Sequence, residues 1–419
     1  MNRFTEHIND NGKVLIWKPE HEYNSSQILG MDLDWTLIKP IEGKVHSKHK
    51  DDWEFLPSID NKEDNNNKLT TKISQYKKHK FVIFTNQGGL LKGNVGLNLD
   101  EFKHKWLKIY EALKKNGIES VYLLAALHDD FFRKPCIGMW EYMETELNGN
   151  IKVDRSKSLY VGDMAGRKGD YAASDLLMAI NLGIPFQVPE VFWDDDKRKS
   201  LTFETLKKSV MENEKVFKAD KYIVEDDKND KTNHKIAEQL NKYLDAGKVL
   251  VLFVGSPASG KSSFYKKYLE MKNKLVNMSM DKYEGTLAKF IKEVNSIMTS
   301  GKDNILIDNT NGTKETRAKY IKIAKANDYK VVVVQFDITK ELVMHLNELR
   351  NKEITVCELN KNPLIQCKKH LPTVAINTFW KKFESPDISE GFEEILIAKF
   401  ELDFSNKEHI SKDKFKLFL

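Results

Sequence analysis

Gly255-Ser256-Pro257-Ala258-Ser259-Gly260-Lys261-Ser262, with Ser263 next, follows the apolar run 249–254 and precedes a helical-looking stretch, 263–272. The order is strand, glycine-rich turn, helix N-terminus, and the spacing is G-x-x-x-x-G-K-[ST]. Glycines let backbone N–H groups close around a polyphosphate where side chains would clash, and the helix N-terminus adds its positive end. Lys261 is placed to offer a point charge to the β- and γ-phosphates, and the Ser262 hydroxyl to hold Mg²⁺. The stretch implies a nucleoside triphosphate site and an α/β fold around it.

Far upstream, Gln27-Ile-Leu-Gly-Met-Asp32-Leu-Asp34-Trp35-Thr36 reads as a short buried strand ending in D-x-D-x-T. Side chains on a strand repeat every two residues, so both carboxylates point the same way. That pair suits Mg²⁺ binding and acyl-phosphate chemistry, with Asp32 as nucleophile and Asp34 as acid/base. Three further elements follow in order. Residues 81–87 form an apolar strand ending in Thr85, Asn86 and Gln87. Arg133-Lys134-Pro135 puts an ammonium group in a loop before a helical stretch, 137–147. Leu159-Tyr-Val-Gly-Asp163 is another strand ending in an acid, with Asp170 and Asp175 shortly after.

Four strand ends in this order resemble the four motifs of the haloacid dehalogenase superfamily of phosphatases. With the phosphate loop in the same chain, the resemblance narrows to the polynucleotide kinase 3′-phosphatase family. Phe-Thr-Asn-Gln (84–87), Arg-Lys-Pro (133–135), Gly138-Met139-Trp140, Val-Gly-Asp-x-Ala-Gly-Arg (161–167), Asn-Leu-Gly-Ile-Pro-Phe (181–186) and Ile-Asp-Asn-Thr-Asn (307–311) carry it. The order, phosphatase first and kinase second, looks like the eukaryotic arrangement rather than the reversed phage one. No preceding forkhead-associated domain is expected.

For the first half the resemblance implies an aspartyl-phosphate on Asp32, with Asp34 protonating the leaving 3′-oxygen and later activating water. Mg²⁺ would be held by Asp32, the Asp34 carbonyl and Asp163. Thr85 and Asn86 would donate to phosphate oxygens, and Lys134 would neutralise the intermediate. Asp170 either supports the metal site or is a helix N-terminal acid. Trp35 stands where most relatives have glycine, so its indole either packs aside as scaffold or stacks on the terminal base.

For the second half the resemblance implies ATP on the phosphate loop and Asp281 as the base for a 5′-hydroxyl, unless Asp281 is only a helix cap. Met280 replaces a frequent arginine. Asp308 would orient Mg²⁺ or its water. Arg317 is a candidate contact to substrate phosphate, and Arg350, in a lid helix near His345, a candidate for bridging the transferred phosphate; a solvated surface arginine is the alternative for each. Glu348 stands where variants often carry a second arginine.

Length and composition set the frame. At 419 residues two domains are expected, a phosphatase at 1–224 and a kinase at 236–419, with a polar linker at 225–235. A net charge of +5, from 67 basic and 62 acidic residues, permits a nucleic-acid ligand without requiring one. Three cysteines, Cys136, Cys357 and Cys367, lack metal-ligand spacing, so neither a disulfide framework nor a zinc site is expected. No signal-peptide pattern opens the chain, and no apolar run approaches the ~20 residues of a membrane span. Lys197-Arg198-Lys199 reads as a solvated face or, less well, a nuclear signal. An intracellular, reducing site is expected, whether nucleus or viral replication site.

Apolar strands are expected at 13–18, 28–33, 81–85, 121–125, 159–162 and 176–181, and helix 99–115 carries the stripe Phe102, Trp106, Ile109, Tyr110, Leu113. Residues 60–68 read as a flexible polar loop. In the second half helix 236–245, strand 248–254, strand 305–309, helix 313–327, strand 331–336 and helix 340–349 alternate. The fold class is α/β: a haloacid dehalogenase-like doubly wound sheet followed by a P-loop kinase domain. The implied function is healing of DNA ends, removing 3′-phosphates and phosphorylating 5′-hydroxyls as a monomer, with a ligase as a candidate partner. The same chemistries on RNA ends are the alternative, and a nucleotide-dependent scaffold with dead sites is a third reading.

Overall fold

The computed structural model describes residues 3–42, 45–57, 67–91, 96–213, 216–223, 228–271, 275–301, 303–360, 369–402 and 411–419. Contacts divide the chain into two units: Met1–Phe217 with Arg350–Lys369 and Lys416–Leu419, and Lys218–Leu349 with His370–Phe415. The boundary thus falls before the expected linker, and two late segments join the first unit.

In the first unit lie β1 (Phe4–Asn9), β2 (Gly12–Trp17), β3 (Ile28–Met31), β4 (Ile38–Lys39), β5 (Glu54–Phe55), β6 (Lys80–Asn86), β7 (Val121–Ala126), β8 (Leu159–Val161) and β9 (Phe186–Gln187). Seven of them form one sheet in the order β1-β2-β7-β6-β3-β8-β9. From β7 to β9 every pair is parallel, while β1–β2 and β2–β7 are antiparallel. Strands such as β6 read as continuous apolar runs because both faces are covered. Val82 and Phe84 enter one core with Trp140 and Tyr160, whereas Phe81 and Ile83 enter the other with Trp17 and Trp106. The chain runs from β3 outward through β6 to β7, then returns to the other side of β3 for β8 and β9. β3 is therefore the switch point, where open α/β sheets leave a crevice at their carboxyl ends.

The expected strand 176–181 is instead helix Ser174–Leu182. A short apolar run fits a buried strand or a buried helix equally. Here Leu, Met and Ala favour helix, and Gly183 at φ 68° supplies the left-handed stop.

The second unit carries β10 (Val249–Val254), β11 (Leu275–Met278), β12 (Asn304–Ile307), β13 (Lys330–Asp337) and β14 (Glu394–Lys399) in the order β11-β12-β10-β13-β14, all parallel. β10 is its switch point, and the phosphate loop follows β10 directly.

Of the expected linker, 225–227 lie outside the described residues, and from Lys228 it is helix, Lys228–Ala246. Asn233 explains how so polar a stretch is held: its side chain is buried, donates to Lys399 O at 2.8 Å and accepts from Lys399 N at 2.9 Å. The polar loop expected at 60–68 lies outside the described residues as far as 66, and Asn67 already caps helix Lys68–Ser74. Cys136 is free and buried, and Cys367 lies outside the described residues. Among the described residues no helix is long and apolar enough to cross a membrane.

Candidate active sites

The carboxyl ends of β3, β6 and β8 meet in the first unit. Asp32 continues β3, its N–H bonded to Val161 O at 2.9 Å. The Lys134 ammonium, 4% exposed, donates to Asp32 Oδ1 at 2.5 Å, to Asp175 Oδ1 at 2.7 Å and to Tyr160 OH at 3.1 Å. Asp32, Asp163 and Asp175 each bring a carboxylate oxygen within 4.8 Å of the others. This buried acidic triad fits a metal site: all oxygen donors, crowded and close enough to share one hard cation.

The electrostatics agree. Burial pushes the Asp32 carboxyl well above the ordinary range, Lys134 pulls it back, and Asp175 and Asp163 push it further up. Burial, then Asp175, raises Asp163 to about 7. Burial alone would depress Lys134, but Asp175 and Asp32 outweigh it and its pKa rises. So Lys134 stays an ammonium, and the carboxyls crowded beside it resist being ionised all at once.

Supporting residues fix this geometry. Asn86 braces the Lys134 loop: its side chain donates one N–H to Lys134 O at 3.0 Å and accepts from Lys134 N at 2.9 Å. Thr85 is buried, and its Oγ1 accepts from Gln87 Nε2 at 2.9 Å. The same Gln87 nitrogen donates to Asp34 Oδ2 at 2.8 Å, while Lys105 Nζ donates to Asp34 Oδ1 at 3.2 Å. Asp170 is no helix cap, since the next helix starts at Ser174. It accepts from the N–H groups of Ala165 and Arg167, both at 3.0 Å, and from Arg167 Nε. Arg167 in turn donates to Asp163 O at 2.9 Å, so this pair shapes the loop that presents Asp163. Trp35 sits at φ 58°, in the left-handed region, and its indole N–H donates to Val45 O at 2.9 Å.

Asp175 was visible in the sequence only as an acid shortly after the fourth motif. It belongs at the centre, carried in by the first turn of helix Ser174–Leu182. Tyr160 lies inside the fourth motif with no role read for it, and Lys105 belongs to no motif.

In the second unit the phosphate loop curls through two left-handed residues, Ala258 (φ 60°) and Gly260 (φ 88°), into helix Lys261–Tyr268. Such a turn aims successive N–H groups inward. Lys261 Nζ lies on the loop itself, 3.0 Å from Gly255 O and 2.7 Å from Ser256 O. Ser256 Oγ is buried with no hydrogen-bond partner among the described residues, an orphan polar atom within the cradle. Ser262 Oγ donates to Asp308 Oδ2 at 3.2 Å, which brings together the two groups expected at one cation. Asp281 is exposed, its N–H bonded to Ser279 Oγ at 3.3 Å, and Met280 N is fixed by Asn309 Oδ1 at 2.8 Å.

One expectation changes. Arg317 is fully buried: Nε and Nη2 pair with Glu390 at 2.9 and 2.7 Å, and Nη1 donates to Asn311 O and Glu384 O. Its donors face protein, so it is an internal brace and not a phosphate contact. Sequence position put it at the head of a helix, but helix Lys314–Ala326 turns it inward. In the expected lid, helix Lys340–Asn360, His345 is buried and hydrogen-bonded to Phe415 O at 2.8 Å. Arg350 opens the stretch grouped with the first unit.

Together the two sites define a class: an aspartate-centred phosphatase of haloacid dehalogenase type joined to a P-loop kinase. A family profile described as polynucleotide kinase 3 phosphatase matches residues 27–193, and one described as an AAA domain matches 250–362. The bifunctional polynucleotide phosphatase/kinase of Schizosaccharomyces pombe is 31% identical over 371 residues, 88% of this chain and 78% of that protein. A protein of Acanthamoeba polyphaga mimivirus is 28% identical over 438 residues, 95% of this chain and 93% of its own length. The polynucleotide 3′-phosphatase of Saccharomyces cerevisiae is 26% identical over 212 residues, 41% of this chain and 89% of that protein. The chain belongs to the bifunctional polynucleotide phosphatase/kinase family.

Proposed function

We propose that this protein heals DNA ends, hydrolysing 3′-phosphates at the Asp32 site and transferring the ATP γ-phosphate to 5′-hydroxyls at the phosphate loop. The observation that carries the first activity is Lys134 bridging Asp32 and Asp175 beside Asp163 at the sheet's switch point. An Asp32 oxygen attacks phosphorus, the bond to the 3′-oxygen breaks, and the Asp34 proton goes to that oxygen. Water then gives a proton to Asp34 and attacks the aspartyl-phosphate, releasing inorganic phosphate and restoring Asp32. Lys134 spreads the charge of the phosphoryl group in both steps. Asp32, Asp163, Asp175 and the Asp34 carbonyl are the oxygens that would hold Mg²⁺, which screens the attacking carboxylate from the phosphate.

In the second unit ATP phosphates would lie on the loop 255–263, against Lys261 and Ser256, with Mg²⁺ between Ser262 and Asp308. Asp281 takes the proton of the 5′-hydroxyl. The protein works as a monomer and hands its 3′-hydroxyl and 5′-phosphate ends to a ligase.

The test is a labelled nicked duplex bearing a 3′-phosphate and a 5′-hydroxyl, offered as DNA and as RNA. Faster turnover of the DNA ends is expected; preference for the RNA ends would move the function to RNA repair.

A further inference from the structure

Helix Leu99–Lys115 packs the stripe Phe102, Trp106, Ile109, Tyr110 and Leu113 against the sheet, and its start is fixed by a reciprocal capping box between Asn98 and Glu101. Lys105 stands on that same face, one position before Trp106, and is 2% exposed. A lysine among aromatic and aliphatic side chains loses hydration and rotamer freedom, so its place needs a compensating partner. The ammonium reaches the head of the active site, donating to Asp34 Oδ1 at 3.2 Å and to Ser47 Oγ at 2.8 Å. Gln87 Nε2 holds the other oxygen, Oδ2, at 2.8 Å.

From this geometry we infer that Lys105 is a positioning residue for leaving-group protonation, acting through Asp34. Two donors from two elements, one on each carboxyl oxygen, fix the plane of the group. Each oxygen keeps a lone pair, so one can carry the proton that passes to the departing 3′-oxygen. Helix Leu99–Lys115 thereby sets the rotamer of an acid that lies on a loop and is partly exposed. Gln87 shares the task but is also tied to Thr85; Lys105 contributes the charged donor. The inference rests on the phosphatase reading above.

The leaving group separates this role from scaffolding. A nucleoside 3′-oxygen leaves poorly without a proton, whereas p-nitrophenolate needs none, and kcat/KM reports the steps up to leaving-group departure. Lys105→Met should lower kcat/KM for a 3′-phosphorylated oligodeoxynucleotide by ~10²-fold, the scale of a general acid's contribution, and that for p-nitrophenyl phosphate by less than ~3-fold. Lys105→Gln, which keeps a neutral donor, should fall between wild type and Lys105→Met on the oligonucleotide. It also serves if the methionine variant does not fold. In an Asp34→Asn background Lys105→Met should add little, because the two act as one unit. Equal losses on both substrates, or full additivity with Asp34→Asn, would overturn the inference. Wild-type protein that leaves both substrates untouched would instead sink the phosphatase reading beneath it.

Discussion

Lys134 Nζ lies 2.5 Å from Asp32 Oδ1, with both side chains nearly closed to solvent. The nucleophile of the proposed reaction is therefore held by the cation that would later face the phosphoryl group. Asp32→Asn removes the attacking oxygen and should cut 3′-phosphate release by at least ~10³-fold. Asp32 lies in the first unit, while Lys261, Asp281 and Asp308 lie in the second. Asp32→Asn should thus leave 5′-phosphorylation within about twofold of wild type, as independent sites do. Lys261→Ala should give the reverse pattern, and chelating divalent cations should stop both. A denaturing gel of a labelled nicked duplex reads both ends at once; 3′-phosphate release by Asp32→Asn at the wild-type rate would refute the assignment.

Motifs on strand ends were legible in the sequence because the chemistry needs them in a fixed order along the sheet. Asp32, Lys134 and Asp163 fall together where the D-x-D-x-T, R-K-P and V-G-D words put them. Ser262 and Asp308 likewise meet across the second sheet. What was not legible came from tertiary packing. The run 176–181 is largely apolar whichever way it folds, and only its Leu, Met and Ala content and Gly183 told of a helix. Arg317 has the same letter whether it faces a ligand or Glu390. Asn86 reads as a phosphate donor in the sequence, and its tie to the Lys134 backbone left no sequence signal. Lys105 did leave a trace: a lone charge on an otherwise apolar helical stripe.

Trp35 adopts φ 58°, a conformation that costs a non-glycine residue about 1–2 kcal/mol. Its indole N–H, bound to Val45 O, fixes the half-buried ring beside Asp34. If the ring stacks on a terminal base, Trp35→Ala should raise KM for oligonucleotides by the worth of one stacking contact, ~1–3 kcal/mol or roughly 5- to 150-fold. Turnover of p-nitrophenyl phosphate should hold. Equal losses on both substrates would assign the indole to the scaffold.

Arg317 and Glu390 form a buried bidentate pair in the second unit, with side-chain exposures of 0% and 9%. Removing one member strands the other's charge in the interior, a loss of about 3–5 kcal/mol. Arg317→Met should accordingly lower the thermal midpoint of the second unit and the yield of folded protein. The folded fraction should keep wild-type KM for a 5′-hydroxyl oligonucleotide. An unchanged midpoint with a raised KM would restore Arg317 as a substrate contact.

His345 provides a pH test of the second unit. Burial depresses its pKa from 6.5 to about 4, against the partial support of the Phe415 carbonyl. Between those values the unfolded chain takes up a proton that the folded one refuses, so acid favours unfolding. The contribution is intact above pH 6.5, falls as pH drops below it, and is fully lost by about pH 4, for a total of about 3 kcal/mol. Other carboxylates titrate in the same range, so the comparison must be with a variant that keeps the hydrogen bond and cannot titrate there. His345→Gln serves. Thermal midpoints measured from pH 7 to pH 4 should decline more steeply for wild type than for His345→Gln, the gap opening below pH 6.5. Parallel declines would mean that the imidazole protonates without leaving its place against Phe415.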